Sequence, residues 1–290
     1  MILVTGATGT TGSEVVRALE RRGARVRAFV RDPGKAQVLF GDAVEVATGD
    51  FADAESVRAA LEGVDTVLLS CADDPRRVEW ETSAIDAAGA AGVERIVKLS
   101  TIGAAPDAPV AFWAWHGVVE RHLRLSGIPA VVLRSTFYMS NLLAAVDPVV
   151  REGRLYAPAG DAKVAMIDPR DVGAVAAAVL TGAGDDGQTY VLTGPQAITW
   201  ARVAAELSTA TGRRVEFVDV PDDGARLALI ETGLPEFVAE QLVKIFGLLR
   251  EGVAEQVTDS VESLTGMPAR AFAEFARDRA GLFAPVAVER

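Results

Sequence analysis

Three glycines at three-residue intervals, Gly6, Gly9 and Gly12 in ILVTGATGTTG, carry the most specific chemistry in this chain of 290 residues. Lacking side chains, they permit a tight turn and let a diphosphate approach the backbone. The free N–H groups and positive dipole end of a following helix then receive the negative charge. Thr8, Thr10 and Thr11 share the turn and count with the glycines as binding candidates. The spacing is GxxGxxG and not the plain GxGxxG, so the surrounding elements must decide the reading. Arg31 ends a second apolar strand, the place that lies beside the adenosine ribose in a dinucleotide fold. An acidic side chain there accepts from two ribose hydroxyls, whereas an arginine suits a 2′-phosphate, so Arg31 favours NADP(H) over NAD. The competing reading is a solvated arginine ahead of a helix capped by Asp32, with Pro33 at its first position. Asp50 can accept from an adenine amino group or simply close a polar turn, and Phe51 beside it joins the candidates. Ser70 and Cys71 leave the end of a later strand, where Cys71 reads as packing near the cofactor and not as a reactive thiol. Ser100 and Thr101 leave another; their hydroxyls can reach a substrate carbonyl or the nicotinamide ribose, or merely finish a strand.

These residues require elements to hold them. Ile2 to Val4 form a short strand, and SEVVRALERRG after the glycine turn is a helix closed by Gly23. Ala24 to Val30 alternate as a strand, a third strand lies around Val44 to Ala47, and Asp53 caps a helix ending near Leu61. Asp65 to Leu69 is a continuous apolar run, the signature of a parallel strand covered on both faces. A helix from about Arg76 to Ala91 precedes a strand at Ile96 to Leu99. FWAWHGVVERHLRLSG is a helix with Val118, Val119, Leu123 and Leu125 on or near its buried side, followed by a strand at Ala130 to Arg134. Strands that each feed a helix predict an α/β fold with a doubly wound parallel sheet, its ligand at the carboxyl edge of the strands.

Further on, the sequence predicts a helix over Phe137 to Arg151, a strand over Lys163 to Ile167 and a helix from Pro169 to Leu180. A strand at Tyr190 to Thr193 and a helix capped by Thr199 follow, then a strand in RVEFVDVP and an apolar helical stretch, Leu227 to Leu249, broken at Gly233-Leu234-Pro235. Residues 1–136 with about 163–182 are assigned to a dinucleotide-binding domain, and about 137–162 with 183–290 to a smaller C-terminal α/β substrate lobe. Lys163 is a candidate cation for substrate or cofactor, against a solvated lysine.

With 29 basic and 40 acidic residues the chain carries a formal charge of −11, which argues against a nucleic-acid surface and makes Arg31 more valuable to an anionic ligand. The single cysteine, Cys71, excludes an internal disulfide, and with only two histidines, His116 and His122, no metal site is expected. No basic-then-apolar leader and no apolar run near ~20 residues is legible, so the expectation is a cytoplasmic protein, monomer or homodimer, with no membrane partner.

The run VTGATGTTG, the VRD after the second strand, GDF-x-D, GVDTVLL, GVERIVKLST and HGVVERHLRLSGIPAVVLRSTFYMSNLL, with IDPRDVGAVAAAVL and GQTYVLTG later, resembles the NmrA-like, atypical short-chain dehydrogenase/reductase proteins. The resemblance implies a Rossmann domain binding NADP(H) and a small lobe forming an apolar cleft for a small-molecule substrate. It also implies one of two roles: a reductase, such as a quinone reductase, or a non-catalytic sensor of redox state that binds a regulator. Short-chain dehydrogenases commonly use a Tyr-xxx-Lys pair on the helix after the fifth strand. Counting back from Glu120, those places hold Phe112 and His116. Phe112 cannot give up a proton, whereas His116 can hydrogen-bond a ribose or act as an acid, unless it is a structural histidine. Tyr138 is then the nearest phenol to a candidate donor, with aromatic packing as its alternative. The function expected is NADPH-dependent reduction of a small carbonyl, quinone, enone or imine-like compound without the usual dyad, with His116, Tyr138 and Ser100 as catalytic candidates.

Overall fold

The computed structural model describes residues 1–284. The glycine turn lies between β1 (Ile2–Thr5) and α1 (Thr10–Arg21), and β2 (Val26–Val30), α2 (Pro33–Phe40), β3 (Glu45–Thr48) and α3 (Ala54–Ala60) follow. Then come β4 (Thr66–Leu69), α4 (Arg77–Ala90), β5 (Arg95–Thr101), α5 (Ala111–Ser126) and β6 (Ala130–Ser135). A 3₁₀ segment at Met139–Ala145 leads to α6 (Val146–Glu152), β7 (Arg154–Ala157), β8 (Lys163–Val164), α7 (Pro169–Leu180) and β9 (Thr189–Leu192). The rest is β10 (Ile198–Thr199), α8 (Trp200–Thr211), β11 (Glu216–Asp219), α9 (Asp222–Glu231), α10 (Glu236–Arg250), α11 (Ser260–Thr265) and α12 (Phe272–Asp278).

Two compact units divide this chain. The first comprises Met1–Ser135, Pro169–Leu192 and Ser260–Met267, and its strands form one sheet in the order β3-β2-β1-β4-β5-β6-β9, parallel throughout. Order reverses between β1 and β4, which makes their carboxyl ends the topological switch point. Central strands are apolar on both faces, with Val4, Leu68, Val97, Val131 and Leu133 wholly buried, as a parallel sheet covered by helices on both sides demands. Helix α1 packs tightly on α7: a Cβ on Gly173 would lie 2.8 Å from the Glu14 carbonyl carbon. Because Thr189–Leu192 pairs with β6 as the seventh strand, the first unit runs on to Leu192 and does not stop near residue 182.

The second unit comprises Thr136–Asp168, Thr193–Asp259 and the described residues from Pro268 to Ala284. It holds a parallel pair, β7 with β11, and an antiparallel pair, β8 with β10. Phe137, Trp200 and Phe246 meet in mutual ring contacts, with centroids 5.5–6.3 Å apart. The helix expected over Phe137 to Arg151 begins as a 3₁₀ segment, and α6 starts afresh at Val146. Pro148 has no N–H to donate, so it fits the first turn of a new helix and not the interior of a continuous one. The strand expected over Lys163 to Ile167 shortens to Lys163–Val164, since Ala165 donates instead to the carbonyl of Ala254 and Ile167 to that of Phe137.

One expectation about burial is corrected. Val118 and Leu125 are exposed on α5, whose buried face is Trp113, His116, Gly117, Val119, Glu120 and Leu123. The helical period places residues 113, 116, 117, 120 and 123 on one stripe, so geometry put a histidine and a glutamate inside and left two apolar residues out.

Candidate functional site

The glycine turn sits at the switch point. Gly6 adopts φ +62°, a left-handed conformation that favours glycine, and the N–H of Gly9 donates to the Gly6 carbonyl at 3.0 Å. Gly12, in the first turn of α1, comes so close that a Cβ there would lie 2.1 Å from the same oxygen. Gly9 is the N-cap and brings no side chain, so the first N–H groups of α1 have no capping oxygen from their own chain. That is the arrangement a helix presents to an anion. Across the switch point, Thr5 Oγ1 donates within reach of the Ser70 carbonyl at 2.8 Å and accepts from the Ser70 N–H at 2.8 Å. The ends of β1 and β4 are thereby tied together, with Gly6 against Ser70.

Arg31 follows β2, exposed and without an ion pair or hydrogen bond among the described residues. Asp32 caps α2 by accepting from Lys35 N–H at 3.1 Å with Pro33 at the first position, as expected, and this leaves the Arg31 guanidinium uncommitted. Asp50 spends Oδ1 on the Ala52 N–H at 2.8 Å, and Phe51 packs its edge on Phe29 with centroids 5.7 Å apart. The turn reading of Asp50 therefore has its partner in hand, with one carboxylate oxygen left over.

Deeper along the carboxyl edge the groups become buried. Strand β5 runs through Thr101, so Ser100 lies within it opposite Arg134, and Thr101 opposite Ser135. The Ser100 hydroxyl donates to Glu120 Oε1 at 2.5 Å, and Arg134 grips the same carboxylate with Nε at 3.0 Å and Nη2 at 2.6 Å. Its proton given to a fully buried carboxylate, Ser100 is better placed to fix α5 on β5 than to protonate a substrate. One turn earlier on α5, His116 is 8% exposed and its Nδ1 is buried with no hydrogen-bond partner. Burial, with Lys98, Arg77 and Arg134 nearby, holds the imidazole well below the usual histidine range, so it is neutral at ordinary pH. At the other end of the dyad's spacing, Phe112 packs on Trp115.

A second buried charged group lies behind this one. Lys98 Nζ donates to Glu81 Oε1 at 2.8 Å and to the Leu99 carbonyl at 2.6 Å, and Arg77 Nε meets Glu81 Oε2 at 3.2 Å. Lys98 and Glu81 are fully buried. Sequence reasoning passed over Lys98, Glu81, Arg77, Glu120 and Arg134. The legible signal was Lys98 itself, an ammonium inside the apolar run RIVKLST of a strand covered on both faces, which must find a carboxylate. Cys71 is half-buried, and burial with the Glu81 charge pushes its thiol up to about 11, so it is no nucleophile at neutral pH. Tyr138 belongs to the second unit, preceding the 3₁₀ segment and bridging to Ile167. Lys163 pairs with Glu255 at 3.4 Å on the surface of that unit, so the solvated reading suits it. Among the described residues no cluster of metal-ligating side chains occurs, and no helix is long and apolar enough to cross a membrane.

Residues 1–275 match the model of the NmrA-like family. The chain belongs to that family. It is 41% identical over 283 residues to an NAD(P)H azoreductase of Xenophilus azovorans, covering 98% of this chain and 99% of the relative. It is 41% identical over 286 residues to a (4-alkanoyl-5-oxo-2,5-dihydrofuran-3-yl)methyl phosphate reductase of Streptomyces griseus, covering 98% and 100%. Among solved structures, the NADPH-dependent quinone oxidoreductase QOR2 of Escherichia coli, complexed with NADPH, superposes with a TM-score of 0.88 at 32% identity, covering 96% of this chain and 99% of that one. The features of this chain that suit such a cofactor are an uncapped helix end over a glycine turn, the exposed Arg31 guanidinium after β2 with no partner among the described residues, and a buried His116 ring nitrogen without one.

Proposed function

We propose that this chain uses NADPH to reduce a small conjugated acceptor, a quinone, enone, carbonyl or imine-like compound, without a strong acid of its own at the reacting atom. The protein is an NAD(P)H-dependent oxidoreductase; the acceptor class is our reading. The observation that carries it is His116, a buried imidazole kept neutral with Nδ1 unpartnered, where the family resemblance leads one to look for a Tyr/Lys dyad. Such a group can orient a hydroxyl by hydrogen bonding, but it is no imidazolium acid at neutral pH. Acceptors tolerant of that weakness are those that delocalise the incoming negative charge. The named acceptors of the three relatives, an azo compound, a 5-oxo-dihydrofuran with an alkanoyl group and a quinone, all do so.

When bound, NADPH supplies the hydride. The chain's own contribution is to hold and orient. Gly6, Gly9 and Gly12 admit the diphosphate to the end of α1, with Thr8, Thr10 and Thr11 lining the turn. Arg31 takes the 2′-phosphate, and Phe51, Ser70, Cys71 and Thr101 shape the remaining edge. Neutral His116 orients a ribose hydroxyl, and the charge that develops on the acceptor is spread over its own π-system until water protonates it.

Following NADPH absorbance with quinones, enones, azo dyes and imines tests this reading. Steady turnover with at least one conjugated acceptor is expected, and His116→Ala, by loosening the nicotinamide's orientation, should lower kcat at least about tenfold in a folded protein. NADPH binding without turnover across such a panel would return the chain to the sensor role.

A further inference from the structure

Between β4 and α4 the chain runs without regular structure from Ser70 to Arg76, and this loop flanks the glycine turn. Thr5 holds its first residue from one side. Arg77, the first residue of α4 and 4% exposed, holds it from the other: Nη2 donates to the Cys71 carbonyl at 2.9 Å, Nη1 to Asp73, and Nε to Glu81. A planar guanidinium spreads these donors over three nitrogens held in one plane, whereas an ammonium carries all of its donors on a single atom. Glu81, which aims that guanidinium, is itself fixed by Lys98 from β5. The result is a buried chain of contacts, Lys98 to Glu81 to Arg77 to the Cys71 carbonyl, ending on the loop beside the diphosphate turn.

We infer that Arg77 is a positioning residue for NADPH: through the Cys71 carbonyl it fixes the loop after β4 against Gly6, with Glu81 and Lys98 setting its direction. This rests on the cofactor site read above. The buried charges explain why the device is tolerated. Lys98 and Glu81 neutralise each other, and Arg77 has Asp73 as a second, solvent-reaching partner, so no buried charge stands alone. Removing Arg77 still leaves Glu81 paired with Lys98. A hydrogen bond from a charged donor to a buried-edge carbonyl is the link lost, and the loop it restrained makes up part of the cofactor's wall.

The test is Arg77→Met in the full-length protein. The dissociation constant for NADPH, read by nicotinamide fluorescence, should rise about tenfold, the equivalent of one charged hydrogen bond. KM for NADPH should follow, while kcat at saturating NADPH and KM for the acceptor stay within about twofold. A purely structural arginine would instead reduce the active fraction, lowering kcat with KM unmoved, and that result overturns the inference. Arg77→Lys is the second variant: it keeps a cation opposite Glu81 yet cannot serve the Cys71 carbonyl as well, so it should recover thermal stability without recovering NADPH affinity. Wild-type affinity in a folded Arg77→Lys also overturns the inference. Failure of the unaltered protein to bind NADPH would instead sink the cofactor reading itself, so the two failures are distinguishable.

Discussion

Replacing Gly12 by alanine should damage both stability and cofactor binding, and the structure sets the size of the effect. The new Cβ would lie 2.1 Å from the Gly6 carbonyl oxygen and 2.8 Å from its carbon. Ordinary C···O contacts begin near about 3.3 Å, so roughly 1.2 Å of relief is needed. Helix α1 cannot retreat to give it, because Val15, Val16 and Leu19 are fully buried and its backbone at Glu14 is already pressed by Gly173 of α7. Gly6 cannot yield either, since its own open side faces Ser70, with the carbonyl oxygen 3.0 Å from where a Cβ would stand. Overpacking with backbone on both sides costs about 3 kcal/mol or more. For a protein of this size that lowers Tm by about 6–12 °C. Thermal unfolding with NADPH titration measures both. Gly23→Ala is the control: its φ of +69° costs about 1 kcal/mol, nothing stands within 4 Å of its Cβ, and NADPH affinity should not change. A Gly12→Ala protein whose Tm falls by no more than about 2–4 °C, as expected for Gly23→Ala, and with undiminished NADPH affinity would refute the reasoning about the turn.

Three further outcomes are expected. Arg31→Asp should weaken NADPH by at least about tenfold, a charge-assisted contact, while leaving NADH nearly unchanged, and equal binding of both cofactors by wild type would contradict the 2′-phosphate assignment. Glu120→Ala strips a buried carboxylate from Ser100 and Arg134 and should cost about 3 kcal/mol in urea unfolding, at the lower end for a broken buried pair because Arg134 is partly exposed and can rehydrate. His116 gives a pH signature: its folded pKa lies below the unfolded value of about 6.5, so on acidification the unfolded chain takes up a proton that the folded chain refuses. Stability should therefore fall as pH drops below about 6.5, with a slope of up to about 1.4 kcal/mol per unit from this one group; His116→Gln should lack that component, and identical slopes from pH 6.5 to 5 would disprove a buried neutral imidazole.

The sheet and its switch point were legible because each rests on local patterns. The glycine turn, the caps at Asp32, Asp53 and Thr199 and the continuous apolar run of β4 each follow from a few neighbouring residues, and all recur in the structure. Right-handed crossovers then leave little freedom in strand order. Boundaries were less legible where a tertiary partner chose them. β9 joins the first unit because β6 has a free edge, and Lys163–Val164 stops short because Ala254 takes the next N–H. Neither partner is near in sequence.

The site divides along the same line. The proposed binding groups that present backbone or a free charge, the glycines and Arg31, were nominated from position alone. Groups that work inside the protein could not, because their meaning lies in pairing across elements: Ser100 of β5 with Glu120 of α5 and Arg134 of β6, and Lys98 of β5 with Glu81 and Arg77 of α4. Reading α5 by residue type favoured Val118 and Leu125, whereas its buried stripe runs through His116 and Glu120. A stripe that buries titratable residues while apolar ones stay outside would be a net loss for packing alone. Its persistence is accounted for once Glu120 is paid for by Ser100 and Arg134, which leaves His116 Nδ1 as the one buried polar side-chain atom without a partner among the described residues. A neutral imidazole in that state is stabilised by whatever hydroxyl the site brings to it, so cofactor binding should protect α5 from hydrogen exchange more strongly in wild type than in His116→Ala.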